Sequence, residues 1–168
     1  MSVLDRMHFG MMALVHENLY SLFRNPYEVL DAAGLKAGQK VLEVGCGPGF
    51  FSIPAARIVG ENGTVHALDI SPFAIERVQQ KIEKEGVTNV KTILADAAQT
   101  GLPDESFDLI FVFGFGHHVS DMADVFAELH RLLKPAGVLS VEGRLVPPNQ
   151  LFHPRGSEGR VVQYGKVA

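Results

Sequence analysis

The chain has 168 residues, 46% hydrophobic and 20% charged, and this length and balance predict a single compact domain. Its formal net charge of −4 disfavours binding to nucleic acid or to an anionic membrane surface, so we expect neither partner. The longest strongly apolar stretch, residues 109–115, is too short to span a bilayer, and no signal peptide is expected. Cys46 is the only cysteine, which suits a reducing cytoplasm and excludes a Cys-based zinc site.

Apolar segments of strand length alternate with longer segments of helical period, which is typical of βαβ units around a parallel sheet. We therefore predict one α/β domain. Asn25 and Ser71 are each followed by proline, a pattern that favours a helix N-cap and a first helical position. In chain order the pattern predicts helices at about 11–23, 26–33, 50–59, 72–85 and 121–134, and strands at 40–44, 64–69, 90–94, 107–113 and 138–141.

The most informative motif is VLEVGCGPGF at residues 41–50, where a buried strand leads through a glycine-rich turn into a helix. Ligands bind at such strand ends in open α/β sheets. Gly45, Gly47 and Gly49 allow positive φ angles and a close approach of ligand to backbone, although a turn could use glycine for geometry alone. Glu43 places a carboxylate at this strand end, which would repel a pyrophosphate and attract a cationic ligand.

Two further acids follow the next two strands. Asp69 ends the second strand, 24 residues after Gly45, where a carboxylate can accept hydrogen bonds from both hydroxyl groups of a ribose. Asp96 follows the third strand, where an acceptor can hold the amino group of an adenine. The alternatives are a helix-cap or turn aspartate for Asp69 and an ordinary loop acid for Asp96.

Read together with FDLI at 107–110 and LKPAGVL at 133–139, the glycine turn and the three acids resemble the class I S-adenosylmethionine-dependent methyltransferases. The resemblance is greatest to the small-molecule branch typified by the ubiquinone/menaquinone-biosynthesis C-methyltransferases. It covers about residues 41–142 and implies a Rossmann-like, doubly wound, mainly parallel sheet. It also implies S-adenosylmethionine as methyl donor, S-adenosylhomocysteine as product and a small-molecule acceptor. The Asp/Asn-Pro-Pro-Tyr motif of related enzymes that methylate DNA bases or protein glutamine is absent, which disfavours those substrates.

The resemblance also implies roles for individual residues. Glu43 would lie near the positively charged end of the methionine part, Asp69 would hold the ribose, and Ile70 would face the adenine. Asp96 and the Ala97 amide would hold the adenine edge. The implied cofactor-binding residues, in chain order, are Glu43, Gly45, Cys46, Gly47, Gly49, Asp69, Ile70, Asp96, Ala97 and Phe113.

Methyl transfer from a sulfonium needs the nucleophile, the methyl carbon and the sulfur in line, so a general base is optional. His117 and His118 follow the fourth strand and are the candidate bases. Packing or capping of the next helix is their alternative role, and the absence of a third ligand at a recognisable spacing predicts no metal. For Cys46, a small residue filling a tight turn is the preferred interpretation over a nucleophile.

The C-terminal region departs from the family pattern. We expect residues 1–36 to pack on or cap the site, 37–143 to form the cofactor-binding core, and 144–168 to be an irregular tail with at most one strand. Three prolines and three glycines in that tail predict that part of the usual antiparallel hairpin is missing. The strand at 138–141 would then be an unpaired edge, which favours a homodimer. The alternatives to a methyltransferase are a catalytically impaired binding protein of the same fold and an NAD-dependent oxidoreductase.

Overall fold

The computed structural model describes residues 25–113, 122–143 and 145–167. The predicted helix at 11–23 and the candidate bases His117 and His118 lie outside these ranges. Within them the chain forms four helices and seven strands. The helices are α1 (Pro26–Ala32), α2 (Ser52–Val59), α3 (Pro72–Glu85) and α4 (Met122–Leu132), and the strands are β1 (Lys40–Val44), β2 (Thr64–Asp69), β3 (Val90–Leu94), β4 (Phe107–Val112), β5 (Leu133–Glu142), β6 (Phe152–Glu158) and β7 (Val161–Lys166).

The strands form one sheet in the order β3-β2-β1-β4-β5-β7-β6. The first five strands are parallel, whereas β7 is antiparallel to both β5 and β6. Buried residues of α1, α2 and α3 pack on one face of the sheet, and those of α4 pack on the other. The chain order reverses between β1 and β4, which makes their carboxyl ends the expected place for a ligand. The predicted α/β, Rossmann-like, doubly wound fold is confirmed.

The local signals for helix ends are borne out. The Asn25 side chain accepts a hydrogen bond from the Tyr27 amide at 3.0 Å, with Pro26 at the first position of α1. Ser71 caps α3 in the same way through the Ala74 amide at 3.4 Å. Both caps supply acceptors for backbone N–H groups that have no partner within the helix. The Ser71 cap fixes where α3 begins relative to the end of β2.

The central position predicted for β1 follows from its burial. Val41 and Leu42 are both fully buried although they point to opposite faces of the sheet. Val41 belongs to the core under α1, α2 and α3, whereas Leu42 belongs to the core under α4. A strand covered on both faces keeps the adjoining turn in one place, which a binding site requires.

The predictions for the C-terminal region were partly wrong: the one strand that they allowed is present as β7, but the hairpin is not incomplete. Residues 144–168 contribute two strands, and β7 pairs with β5 from Val138↔Gly165 to Glu142↔Val161, so the antiparallel hairpin is present. It fits because its turn is only two residues long, with Gly159 at a φ of 57°, and because the described residues between β5 and β6 form no helix. The strand at 138–141 is therefore no edge, and the reason for a homodimer through it disappears.

A partly buried carboxylate ties α4 to the loop after β3. Glu128 accepts hydrogen bonds from the Thr100 amide at 3.0 Å and hydroxyl at 2.6 Å, and from Arg131 at 2.7 and 2.8 Å. These contacts, those of Arg131 above all, lower the pKa of Glu128 from 4.5 to about 2.

We expect Glu128→Gln to lower the free energy of unfolding at pH 7 by about 1–2 kcal/mol, the scale of charged hydrogen bonds. Because the folded pKa is depressed, this stabilisation is present above pH 4.5 and is lost as the pH falls towards 2. Urea denaturation at pH 7 and pH 3 tests this, with the exposed Glu83→Gln as control. An equal difference between Glu128→Gln and the parent protein at both pH values would contradict it.

In the part of the chain that the structure describes, no helix is both long and apolar enough to cross a membrane.

Candidate functional site

The glycine-rich turn is built by the backbone. The amides of Gly45 and Cys46 both donate to the Leu68 carbonyl, at 2.9 and 3.0 Å, which fastens the turn to the end of β2. Gly47 has a φ of 51°, and no heavy atom of the described residues lies within 4 Å of the position that its Cβ would take. Gly49 differs, because a Cβ there would lie 3.0 Å from a Val78 methyl group on α3. Gly49 therefore serves packing, whereas Gly47 leaves open space beside the turn.

Glu43 is buried, with 3% of its surface exposed, at the carboxyl end of β1. Its Oε2 atom accepts a hydrogen bond of 2.5 Å from the hydroxyl of Ser52, which is fully buried in the first turn of α2. Burial raises the pKa of Glu43 from 4.5 to about 8; the Ser52 hydrogen bond acts in the opposite direction, and the charge of Asp69 raises the pKa further. Without a cation nearby, this side chain is therefore mostly neutral at pH 7.

Asp69 connects the glycine turn to the start of α3. Its Oδ2 atom accepts from the Gly47 amide and its Oδ1 atom from the Ser71 amide, both at 2.9 Å. A carboxylate offers about four lone-pair sites, so each oxygen keeps capacity for a further donor such as a hydroxyl group. Next to it, Ile70 exposes 69% of its surface, an unusual fraction for a large apolar side chain. An acceptor and an exposed apolar face thus lie side by side.

The loop after β3 brings the third predicted acid to the same edge. The Ala95 amide donates to the Asp69 carbonyl at 3.2 Å, which continues the β2–β3 pairing into this loop. Asp96 is exposed, and its Oδ1 atom accepts from the Ala98 amide at 2.9 Å, whereas Ala97 is buried. Because β2 and β3 are neighbours, Asp96 follows Asp69 along one edge of the sheet, as the sequence predicted.

An aromatic cluster underlies the switch point between β1 and β4. Phe113 directly follows β4, is buried, and lies against Phe51 and Phe111 with ring centroids 5.2 and 4.9 Å apart. These rings fill the core below the turn and hold the Phe113 backbone next to β1. The Phe113 backbone thus lies at the carboxyl end of β4, beside that of β1.

Cys46 is a packing residue. Its side chain is buried in the turn, and burial, together with the charges of Glu43 and Asp69, raises the pKa of its thiol far above the ordinary range. A protonated, buried thiol is a poor nucleophile. The interpretation of Cys46 as a small residue filling a tight turn agrees with this geometry.

Sequence reasoning missed Ser52. The sequence analysis places Glu43 at the site without a partner for its side chain and does not single out Ser52. The available signal was a serine within the apolar run FFSI at residues 50–53, since a hydroxyl group buried on a helix needs an acceptor. Glu43 supplies that acceptor.

Comparison with known proteins identifies the family. The chain matches a family described as a methyltransferase domain over residues 35–145. The demethylmenaquinone methyltransferase of Geobacillus stearothermophilus is 38% identical over 112 residues, which cover 66% of this chain and 47% of that protein. The ubiquinone/menaquinone biosynthesis C-methyltransferase of Psychromonas ingrahamii is 36% identical over 143 residues, which cover 82% of this chain and 57% of that protein.

A solved structure agrees. The crystal structure of a SAM-dependent methyltransferase from Aquifex aeolicus is similar with a TM-score of 0.74 and 28% identity, covering 85% of this chain and 90% of that one. Fold and site together define a doubly wound α/β protein with a nucleoside-type ligand site. The chain belongs to the class I S-adenosylmethionine-dependent methyltransferases, as the motifs indicated. It spans about half the length of the curated relatives reported above.

Proposed function

We propose that this protein transfers a methyl group from S-adenosylmethionine to a small-molecule acceptor. The observation that carries the proposal is the pair of carboxylates, Glu43 and Asp69, beside the open position at Gly47. The two side chains are close enough for the charge of Asp69 to raise the Glu43 pKa. Glu43 is a buried acid without a described cationic partner, and Asp69 beside it has lone pairs that can accept further hydrogen bonds. The pair therefore fits a ligand that is both cationic and a nucleoside.

The proposed roles follow the sheet edge from β1 to β3. Glu43 binds the ammonium of the methionine part, and the turn at Gly45, Cys46, Gly47 and Gly49 packs against that part. Asp69 accepts from the ribose hydroxyl groups, and Ile70 covers the adenine. Asp96 and the Ala97 amide hold the adenine edge, and the Phe113 backbone touches the methionine part. These roles are supported by the open space at Gly47, the exposure of Ile70 and the free lone pairs of Asp69.

The chain's own residues bind, orient and exclude water. When bound, S-adenosylmethionine supplies an electrophilic methyl group. The buried aromatic cluster around Phe113 keeps water away from the switch point on the sheet side. In-line positioning alone can supply much of the rate of such a transfer. His117 and His118 stay candidate general bases, as predicted from the sequence.

The acceptor is proposed to be a small metabolite rather than nucleic acid, in line with the net charge of −4. Both relatives reported above are named for quinones, so a 1,4-naphthoquinol is the first acceptor class to test. A quinol is chosen over a quinone because its electron-rich ring carbon can attack an electrophilic methyl group. A cytoplasmic location is part of the proposal and is supported by the single, buried thiol of Cys46.

The alternatives lose support. A catalytically impaired binding protein was considered because the C-terminal hairpin was expected to be incomplete, and that hairpin is present. An NAD-dependent oxidoreductase would place a pyrophosphate near Asp69, whose carboxylate would repel it, and near the buried acid Glu43, which offers it no positive charge. Consumption of S-adenosylmethionine in the presence of a quinol would distinguish turnover from binding alone.

Asp69→Ala is expected to weaken binding of S-adenosylhomocysteine by about 1–3 kcal/mol, the scale of removing a charged hydrogen-bond acceptor. Isothermal titration calorimetry measures the effect. Asp69→Asn is the matched control, because it keeps one oxygen for the Gly47 amide and is expected to lose less affinity. An unchanged dissociation constant in a folded Asp69→Ala protein would remove Asp69 from the site.

A further inference from the structure

Ser52 is a fully buried polar residue between the buried residues Phe51 and Ile53 at the start of α2. Its hydroxyl group donates to Oε2 of Glu43 at 2.5 Å, and among the described residues this is the only hydrogen bond of the Glu43 carboxyl group. A Cβ atom at Gly49 would lie 3.5 Å from the Ser52 oxygen, so the hydroxyl group lies beside the last glycine of the turn. Ser52 thus connects the start of α2, the glycine turn and the buried acid.

The contact with Ser52 orients the Glu43 carboxyl group. A carboxyl group is planar, so a hydrogen bond that holds Oε2 also fixes the direction of Oε1. Oε1 has no donor among the described residues, whereas Oε2 is already bonded. Oε1 is therefore the oxygen that remains for the ammonium group of the proposed cofactor.

A serine hydroxyl group can serve both protonation states of Glu43. It can accept from the protonated acid and donate to the carboxylate, and the second hydrogen bond is roughly twice as strong because its acceptor is charged. Ser52 therefore favours the ionised form and acts against burial, which raises the pKa of Glu43 to about 8. Ser140 is also a fully buried serine, but its hydroxyl group donates to the Ala33 carbonyl, which does not titrate.

The other groups around Glu43 do not favour its ionised form. Its neighbours on β2 and β4, Ala67 and Phe111, are apolar. The charge of Asp69 raises the pKa of Glu43, and the buried Cys46 thiol stays protonated and uncharged. In the described part of the chain, Ser52 is therefore the one group that favours ionisation of Glu43 before a ligand binds. The charged residues of α1 and α2 are exposed, and those of α3 are exposed or half-buried: Glu28, Asp31 and Arg57 are exposed, and Arg77 and Lys81 are half-buried.

We propose that Ser52 is a positioning residue for the cofactor, which orients the Glu43 carboxyl group towards the ammonium group and lets Glu43 exchange its proton for that cation. The inference rests on the proposed binding of S-adenosylmethionine. As the ammonium group binds, the Glu43 proton passes to solvent, and the Ser52 hydroxyl group changes from acceptor to donor. Oε2 thus keeps its hydrogen bond in both states, and Ser52, together with burial, sets the pH at which cofactor affinity levels off.

The test compares binding of S-adenosylhomocysteine by the parent protein and Ser52→Ala, measured by calorimetry at pH 6.5 and pH 8.5. Loss of one charge-assisted hydrogen bond is expected to raise the pH at which affinity levels off by about one unit. Ser52→Ala should therefore bind about tenfold more weakly than the parent at pH 6.5 but only about threefold more weakly at pH 8.5. A merely structural role of Ser52 would weaken binding by the same factor at both pH values.

Proton release gives a second measurement that does not depend on the size of the affinity. At pH 8, in buffers of different ionisation enthalpy, the parent protein is expected to release about half a proton on binding and Ser52→Ala about nine tenths. Ser140→Ala is the matched control, since it also removes a fully buried hydroxyl group with one described hydrogen bond. It should lose stability but keep the dissociation constant and the proton release of the parent.

Ser52→Cys keeps the test decisive if Ser52→Ala does not fold. A thiol is close in size to a hydroxyl group but is a weak donor, so the variant should change both measurements in the same direction as Ser52→Ala and by less.

The outcomes separate this inference from the proposed function. Failure of the parent protein to bind S-adenosylhomocysteine would contradict the proposed function. Normal binding by the parent, with the same ratio of affinities at both pH values or with equal proton release in the Ser52 variants, would overturn only the role of Ser52. A change of proton release in Ser140→Ala as large as that in Ser52→Ala would overturn it too, because any buried serine would then have the same effect.

Discussion

Replacing Gly47 by valine is expected to abolish measurable binding of S-adenosylhomocysteine in a protein that still folds. The space beyond the Gly47 Cβ position is open among the described residues, so the valine side chain enters the proposed ligand space without meeting the core. At a φ of 51° a β-branched residue also strains the turn by roughly 1–2 kcal/mol. That strain displaces the Gly47 amide, which donates to Asp69. Both effects act on the ligand site, and we expect affinity to fall by at least about a hundredfold, or about 2.7 kcal/mol.

Gly38→Val is the matched control for this prediction. Gly38 has a φ of 80° and open space around its Cβ position, but it precedes β1 and so lies at the opposite edge of the sheet. It should show a similar loss of thermal stability with an unchanged dissociation constant. Calorimetry with S-adenosylhomocysteine and thermal unfolding of both variants separate strain from loss of the site. Equal affinities in the two variants would show that Gly47 does not face the ligand.

The cofactor side of the molecule could be predicted because its signals are local. A strand followed by GCGPG, with Asp69 and Asp96 at the next two strand ends, fixes a common edge through parallel pairing alone. The helix caps at Asn25 and Ser71 are equally local. The partner of Glu43 was not predictable in this way, because the contact with Ser52 depends on how α2 packs over β1.

The hairpin was missed because proline and glycine were treated as evidence against strands. Pro154 is tolerated because β6 is the outer strand of the sheet, where a missing N–H group is not needed by a further strand. The register shifts between Pro154 and Gly156, so Gly156 lies at an irregularity of the ladder. Gly165 pairs with His153, whose ring occupies the space that a Cβ at Gly165 would take. Pro154, Gly156 and Gly165 thus each have a position in a strand that suits them, whereas Pro147, Pro148 and Gly159 lie outside the strands.

The second large effect concerns pH. Below pH 8 Glu43 is mostly protonated in the unliganded protein, because burial raises its pKa to about 8. A bound ammonium group favours the ionised form, so binding must release a proton. We expect affinity for S-adenosylhomocysteine to rise by up to about tenfold per pH unit between pH 6 and 7.5 and to level off above pH 8.

Glu43→Gln is the variant that tests this dependence. The amide keeps an oxygen to accept from the Ser52 hydroxyl but cannot titrate, so affinity should be weaker and nearly independent of pH over the same range. Calorimetry at pH 7 in buffers of different ionisation enthalpy counts the released protons, with close to one expected for the parent and none for the variant. Equal proton release in the two proteins would place the titrating group elsewhere.

Glu43 is also expected to make the stability of the unliganded protein fall as the pH rises, which is opposite to the trend in affinity. The pKa of Glu43 is about 8 in the folded protein and 4.5 as its ordinary value, so between these pH values the folded protein holds a proton on Glu43 that the unfolded chain has lost. The stabilisation that comes from this proton is full below pH 4.5 and is lost as the pH rises towards 8. Between pH 5 and 8 we expect the free energy of unfolding to fall by up to about 4 kcal/mol through this group, and by much less in Glu43→Gln. Urea denaturation at the two pH values measures it. Burial of an ionised Glu43 destabilises the unliganded protein, and a cationic ligand offsets that cost. Stability and affinity should therefore change with pH in opposite directions, and Glu43→Gln should remove both trends. This combination follows only if Glu43 faces the ligand.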